Sequence, residues 1–237
     1  MDTAPIFNRI SGNYDKFNHL FSMNIDKRWR KSAVRSLCKK LSNRGKAPQE
    51  SRVLDVACGT GDLTLLLAKA GYGVIGADIS EGMLDIAKKR IASASISEPK
   101  PTLVKGNCEA LPFDNESFDA VTIGYGIRNF DNRPAALKEL LRVLKKGGEL
   151  MILEFGEPHN SFVRFFYKLY FKYVIPNAAA ALTLGKERGA YKYFISSVEK
   201  FPKFEKFCEE ISSAGFSQAS YKRQTGGISV IYSAVKE

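Results

Sequence analysis

The stretch VLDVACGTGDLT, residues 53 to 64, decides the fold. VLDV reads as a buried strand, CGTG as a tight turn, and DLTLLLAKAG, residues 62 to 71, as a helix with leucines on one face and Gly71 as its stop. Two glycines placed one residue apart, Gly59 and Gly61, let the backbone approach a ligand closely. The helix start behind them offers unpaired N–H groups.

Outward from this unit the alternation continues. YGVIGADI (72–79) reads as a strand. SEGMLDIAKKRIASA (80–94) reads as a helix with Ser80 at its N-cap and Lys88, Lys89 and Arg90 near its negative end. Strands TLVKGN (102–107) and FDAVTIGYG (118–126), helix PAALKELLRVLKKGG (134–148) and strand ELMILEF (149–155) follow. Near the end come a helix, KFEKFCEEISSAGF (203–216), and strands SQASYKRQ (217–224) and GISVIYSAV (227–235), joined through Gly226 and Gly227. Strands alternating with helices predict an α/β fold, a doubly wound and mostly parallel Rossmann-like sheet of seven strands with an antiparallel edge.

In such sheets ligands bind beyond the carboxyl ends of the strands, where the strand order switches. A dinucleotide fingerprint would need a third glycine where Thr64 stands, and Asp55 and Asp62 bracket the turn with carboxylates that would repel a pyrophosphate. They suit a cationic nucleoside, and S-adenosylmethionine carries both an ammonium and a sulfonium. Asp78 closes the second strand 23 residues after Asp55, where a carboxylate can accept both ribose hydroxyls. Asn107, at the end of the third strand, is placed for the adenine edge, with Cys108 beside it.

Composition narrows the remaining classes. The 237 residues are 44% hydrophobic and 26% charged, an ordinary soluble composition. There is no long apolar run and no secretory leader pattern in MDTAPIFNRI, so the expected location is cytoplasmic. Cys38, Cys58, Cys108 and Cys208 lie far apart and the two histidines, His19 and His159, are isolated, so reduced thiols and no metal centre are expected. Net charge is +11. Lys and Arg outnumber Asp and Glu by 11 to 4 in residues 1–50 and by 12 to 6 in 161–237, whereas 51–160 hold 13 against 15. Basic flanks attract nucleic acid, anionic lipid or acidic partners alike.

Several segments read as specific to one family: YDKFNHLFSMNIDKRW (14–29), NCEALPFDNESFD (107–119), GIRNF (126–130), RVLKKGGELMILEF (142–155) and YKYFISSVEKFP (191–202). Together with LDVACGTGD they make the chain resemble the C-methyltransferases of menaquinone and ubiquinone biosynthesis, within the class I S-adenosylmethionine-dependent methyltransferases. The resemblance covers nearly the whole chain. It implies cofactor contacts at Thr60, Asp78, Asn107 and Cys108, beside Asp55, Gly59 and Gly61 from the turn. It implies one methyltransferase domain over 1–237: an N-terminal lid and acceptor segment (1–50), a cofactor core (51–156), an aromatic and basic insertion (157–203), and a closing helix and hairpin (204–237). Phe17, Asp26, Cys58, Lys146 and Gly156 depart from the family pattern, which has methionine, histidine, glycine, proline and serine there.

The implied reaction is methylation of a polyprenyl quinol ring, demethylmenaquinol to menaquinol, with the benzoquinol precursor of ubiquinone as the alternative acceptor. Arg128 is expected as cationic partner of a developing phenolate, since a guanidinium stays protonated, and Asn129 as its neighbour orienting the acceptor or a water. Tyr14 and Asp15 are the proton-acceptor candidates. The competing structural reading gives Arg128 an ion pair with Asp131 or Asp15. In SFVRFFYKLYFKYV (161–174), Phe162, Phe165, Phe166, Leu169 and Tyr173 share one helical face, and Arg164, Lys168 and Lys172 another. Such a helix suits peripheral contact with an anionic membrane surface or a lid packed on the domain. RNA methylation is the remoter alternative, without an N-P-P-Y motif or a paired catalytic cysteine motif; no nucleic acid partner is expected, and the oligomeric state is left open.

Overall fold

A computed structural model describes Ser22, residues 24–174 and residues 188–237. Its elements are α1 (Asp26–Asn43), β1 (Arg52–Val56), α2 (Asp62–Lys69), β2 (Gly73–Asp78), α3 (Glu81–Ser93), β3 (Thr102–Lys105) and β4 (Phe118–Gly124). They continue as α4 (Arg133–Val143), β5 (Leu144–Phe155), α5 (Ser161–Leu169), α6 (Arg188–Lys200), α7 (Glu205–Ser213), β6 (Ser217–Gln224) and β7 (Ser229–Val235). The strands form one seven-stranded sheet in the order β3-β2-β1-β4-β5-β7-β6, parallel from β3 through β5. β7 runs antiparallel between β5 and β6. The predicted doubly wound sheet with an antiparallel edge is therefore the one formed.

Side chains alternate between the two faces along each strand, and both faces are covered, so the central strands read as nearly continuous apolar runs. Val53, Met151, Leu153 and Ile231 pack toward Trp29, Leu37 and Leu41 of α1 and Leu63 and Leu67 of α2. Leu54, Val121, Ile152 and Tyr232 pack on the other side with Leu137 and Leu140 of α4 and Phe207 and Ile211 of α7. Burial of each such side chain is worth about 1.5–3 kcal/mol. Polar ties fix α1 in place: Arg44 and Lys40 reach the buried Glu149 of β5 at 2.8 and 3.5 Å. The Trp29 indole N–H donates to the Thr225 hydroxyl at 2.7 Å.

Local signals explain most boundaries. Ser80 Oγ accepts the Met83 N–H at 3.2 Å and starts α3. Asn132 Oδ1 does the same for Ala135 at 3.1 Å, with Pro134 in the first turn of α4. One expected boundary is corrected. The helix read over 134–148 stops at Val143, and the strand read from Glu149 starts at Leu144. The buried Leu144 pairs with Phe118 across a register shift, and Gly147, at φ +74°, donates its N–H to Lys236. Tertiary pairing there outweighs the helical preference of LKK. The third strand is also shorter than read, ending at Lys105; Asn107 instead makes an isolated antiparallel bridge to Ala110 around the turn that follows.

Candidate active site

The carboxyl ends of β1, β2, β3 and β4 frame a cleft enclosing about 910 Å³ of space that includes open solvent. Gly59, Asp78, Asn107, Cys108 and Asn129 are among its lining residues. Thr60, Asp55 and Asp62 instead line a smaller recess that adjoins the cleft through Ala57, Gly59 and Gly124, which border both. The backbone is unusual where the strands end. Ala57 after β1 and Tyr125 after β4 hold φ of +52° and +60°, a left-handed conformation that costs an L residue about 1–3 kcal/mol. Gly59 has φ +56°, and a Cβ built on it would meet open space, which suits close passage of a ligand.

Each expected cofactor residue has a definite setting. Asp78 accepts the Gly59 N–H through one oxygen and the Ser80 N–H through the other, both at 2.8 Å. Burial nevertheless raises its pKa, with those N–H groups opposing the rise. Asn107 Oδ1 accepts the Glu109 N–H at 3.0 Å, an Asx turn that shapes the cleft wall. Burial pushes the Cys108 thiol up to about 12, so it remains a neutral packing group. Thr60 is fixed from outside by Arg90, whose guanidinium donates to its hydroxyl and carbonyl at 3.0 and 3.1 Å and also pairs with Asp62 at 2.5 Å. Asp55 is fully buried and accepts the hydroxyls of Thr64 at 2.6 Å and Thr122 at 2.8 Å. Desolvation lifts its pKa from 3.8 to about 6, against the pull of those hydroxyls and of the Arg30 charge. Cys58 does not crowd the cleft, because its sulfur lies over Gly76, where a Cβ would sit only 3.1 Å from it.

Arg128 lies in the short 3-10 turn Ile127–Asn129 after β4, at the rim expected for it. The guanidinium pairs with Glu154 at 3.0 Å, with side-chain exposures of 2% and 0%; of the two partners read for it, Asp15 lies outside the described residues. The guanidinium also donates to the Tyr125 carbonyl and lies over the rings of Phe155 and Phe194, at 5.4 and 5.0 Å. Two buried atoms on this rim, Arg128 Nε and Asn129 Oδ1, have no hydrogen-bond partner among the described residues, a costly state that a bound polar group would relieve. Glu154 was missed in the sequence reading. Its one signal was a second glutamate inside the otherwise apolar run ELMILEF. Tyr14 and Asp15 lie outside the described residues.

A family model of the ubiE/COQ5 methyltransferases matches residues 2–236. The chain belongs to the ubiE/COQ5 methyltransferase family. It is 40% identical over 237 residues to the ubiquinone/menaquinone biosynthesis C-methyltransferase UbiE of Syntrophotalea carbinolica, spanning 99% of this chain and 94% of that one. It is 36% identical to the demethylmenaquinone methyltransferase of Bacteroides fragilis, over 98% of this chain and 91% of the relative. The fold matches a Thermotoga maritima S-adenosylmethionine-dependent methyltransferase at TM-score 0.66, with 24% identity and 99% of each chain covered. It also matches the Synechocystis magnesium protoporphyrin IX methyltransferase with bound S-adenosylhomocysteine at TM-score 0.64, with 18% identity over 100% of each chain. Like its family, this ubiE/COQ5 member uses S-adenosylmethionine as methyl donor. The open face of Gly59, the carboxylate of Asp78 and the unpartnered oxygen of Asn129 fit that group. The family also sets aside the RNA reading.

Proposed function

We propose that this chain methylates a ring carbon of a polyprenyl quinol, converting demethylmenaquinol to menaquinol in the last step of menaquinone biosynthesis. The observation that carries the reading is the rim after β4. There the segment GIRNF sets Asn129 in the wall of the cleft that Gly59 and Asp78 also line, with the buried Arg128 directly behind it in the same turn. S-adenosylmethionine supplies an electrophilic methyl group on sulfur when bound. The chain's residues hold and orient the acceptor, and well-aligned reactants alone gain effective molarities of about 10⁵ M or more.

As the quinol hydroxyl loses its proton, negative charge grows on the ring oxygen, and it flows into the ring as the carbon attacks the methyl group. Arg128 meets it as a fixed donor, with Glu154 setting the guanidinium's position and sparing an unpaired buried charge in the resting protein. Asn129 orients the acceptor or a water through its amide. Asp78 takes the ribose hydroxyls, Asn107 and Cys108 flank the adenine, and Thr60, Gly59 and Gly61 shape the path of the remaining arm. Tyr14 or Asp15 takes the hydroxyl proton and returns it when the methylated ring carbon loses its own proton to solvent and the ring regains aromaticity, so that one proton leaves for each methyl gained. Transfer of tritiated methyl to reduced demethylmenaquinone, run beside a demethylated ubiquinone precursor, tests this. Preference for the benzoquinol would move the assignment to ubiquinone, and transfer to neither would overturn it.

The tail of such an acceptor dissolves in lipid, and α5 supports contact with a membrane surface. Phe162, Phe165 and Phe166 are 72%, 59% and 52% exposed, and Leu169 and Tyr173 are also exposed. Arg164 turns back to the chain, donating to the carbonyls of Pro158 and His159 at 2.9 and 3.2 Å. The aromatic face thus points outward rather than onto the domain, as an interfacial helix requires. No described helix is long and apolar enough to cross a membrane.

A further inference from the structure

The segment YKYFISSVEKFP forms most of α6, and its tyrosine at 193 has no part in the function described so far. α6 packs on the short turn Ile127–Asn129 that carries Arg128. The Phe194 ring lies 5.0 Å from the Arg128 guanidinium and edge-on to Phe155 at 5.6 Å. Val198, four residues on and on the same helical face, is buried in the cluster that holds Trp29 and Leu37 of α1. That face fixes the rotation of the helix. Tyr193, next to Phe194, then stands at the margin of the contact with the Arg128 turn.

The Tyr193 hydroxyl is half-buried, and two side-chain charges reach it, the cation of Arg128 and the carboxylate of Asp131. Asp131 lines the cleft and is exposed at its mouth. No hydrogen bond to a described residue offsets the burial, which raises the pKa of the phenol against the pull of Arg128. The group therefore stays protonated at neutral pH and can donate. A phenylalanine would pack beside Phe194 equally well, so the hydroxyl itself calls for a partner.

The proposed acceptor carries such a partner. A quinol has two hydroxyls on opposite sides of its ring. The one beside the methylated carbon faces Arg128 and Asn129, and the other adjoins the carbon that bears the tail. A polyprenyl tail too long for the cleft leaves through its mouth, so the second oxygen lies on the mouth side, with Asp131 and Tyr193. We infer that the Tyr193 hydroxyl donates a hydrogen bond to this tail-side oxygen of the quinol, an inference that rests on the function proposed above. Tyr193 is then an acceptor-binding residue: it selects a ring with two oxygens and helps hold the free ring carbon in line with the methyl group.

The test is anaerobic binding of two probes to the full chain saturated with S-adenosylhomocysteine. One is a short-tailed reduced demethylmenaquinone. The other is 3-prenyl-1-naphthol, which keeps the hydroxyl beside the methylated carbon and lacks the tail-side one. The unaltered protein should prefer the quinol by about 3 to 10-fold, the worth of one neutral hydrogen bond. In Tyr193→Phe that preference should shrink to less than about twofold, with the affinity for the naphthol nearly unchanged. Equal affinity of the unaltered protein for both probes overturns the inference, whether or not the variant folds. So does an equal loss on both probes in Tyr193→Phe, which would mark Tyr193 as a packing residue, and so does a preference that the variant retains in full. Methyl transfer to the quinol by the unaltered protein, measured alongside, tells the two failures apart. Transfer without the preference leaves the proposed function standing, and absence of transfer removes that function and this inference with it.

Discussion

Two guanidiniums are buried at the carboxyl edge of the same sheet, and their surroundings differ. Arg128 is matched to one carboxylate, Glu154 at 3.0 Å, and packed against two phenylalanine rings. Arg30 stands among three carboxylates, with ion pairs of 3.4 and 3.5 Å to Asp26 and Asp62 and a charge interaction with Asp55. A tight, single, dry pair fixes a donor where charge will develop during reaction. A cation set among several carboxylates shares its charge between them. The difference separates one exclusive pair from a shared network of charges at the same sheet edge.

The largest effect should come from breaking the tight pair. Arg128→Ala should lower turnover by about 10³-fold or more, as loss of an oxyanion donor does, while S-adenosylhomocysteine affinity changes less than about threefold. Glu154 left alone in the core should also lower urea stability by about 3–5 kcal/mol, a loss that Arg128→Met combined with Glu154→Gln should largely recover without recovering turnover. Equal losses of turnover and cofactor affinity in Arg128→Ala would mark the exclusive pair as a structural tie alone.

Next in size is Gly156→Ser, two residues beyond Glu154. A Cβ there would stand 2.3 Å from the Gly227 carbonyl oxygen and 2.6 Å from Val230 Cγ2, so the backbones must part. A loss of about 2–4 kcal/mol in urea unfolding is expected. Serine is the family's usual residue there, so an unchanged midpoint would mean that the Gly226-Gly227 turn yields easily.

Asp55 sharpens the other side of the comparison through pH. Its folded pKa, about 6 against an ordinary 3.8, is raised, so the folded state favours the protonated form. The penalty for ionisation is absent below about pH 4, grows as pH rises to 6, and is complete above it. Asp55→Asn lacks the penalty and should gain about 1–3 kcal/mol on the parent between pH 4.5 and 7.5, read as the pH dependence of the difference in urea midpoint. A difference independent of pH would remove Asp55 as a source of charge in the recess. The smallest effect on the folded protein is expected from Phe165→Ser with Phe166→Ser. Both rings are more than half exposed, so stability should move by less than about 0.5 kcal/mol. Co-sedimentation with anionic vesicles should fall about tenfold, each buried aromatic being worth well over 1 kcal/mol.

The framework of the cleft was legible because its signals are local. The strand, glycine turn and helix of residues 52–71 are contiguous, and Asp78 and Ser80 sit beside the boundary they define. The arginine partners were not legible, because contacts between distant segments create them. Glu154 reaches Arg128 only because β4 and β5 pair with Gly124 opposite Leu153. Arg30 lies in a segment that reads as acceptor lid, and only the packing of α1 on the sheet beside α2 brings it to Asp62. The early stop of α4 has the same origin, a strand pairing 26 residues away that no local propensity encodes.

The outer strands carry a consequence for self-association. A protein gathered on a lipid surface meets its own copies far more often than one in bulk water, and an open sheet edge is where such meetings turn into fibre growth. β3 offers only four residues at one edge. β6, at the other, is kinked by the register shift between Ser217 and Ser220, with Gln218 at φ +53°, and bears Lys222 and Arg223. Short length, a bulge and like charges each discourage edge-to-edge pairing, so this sheet can crowd at a surface without polymerising.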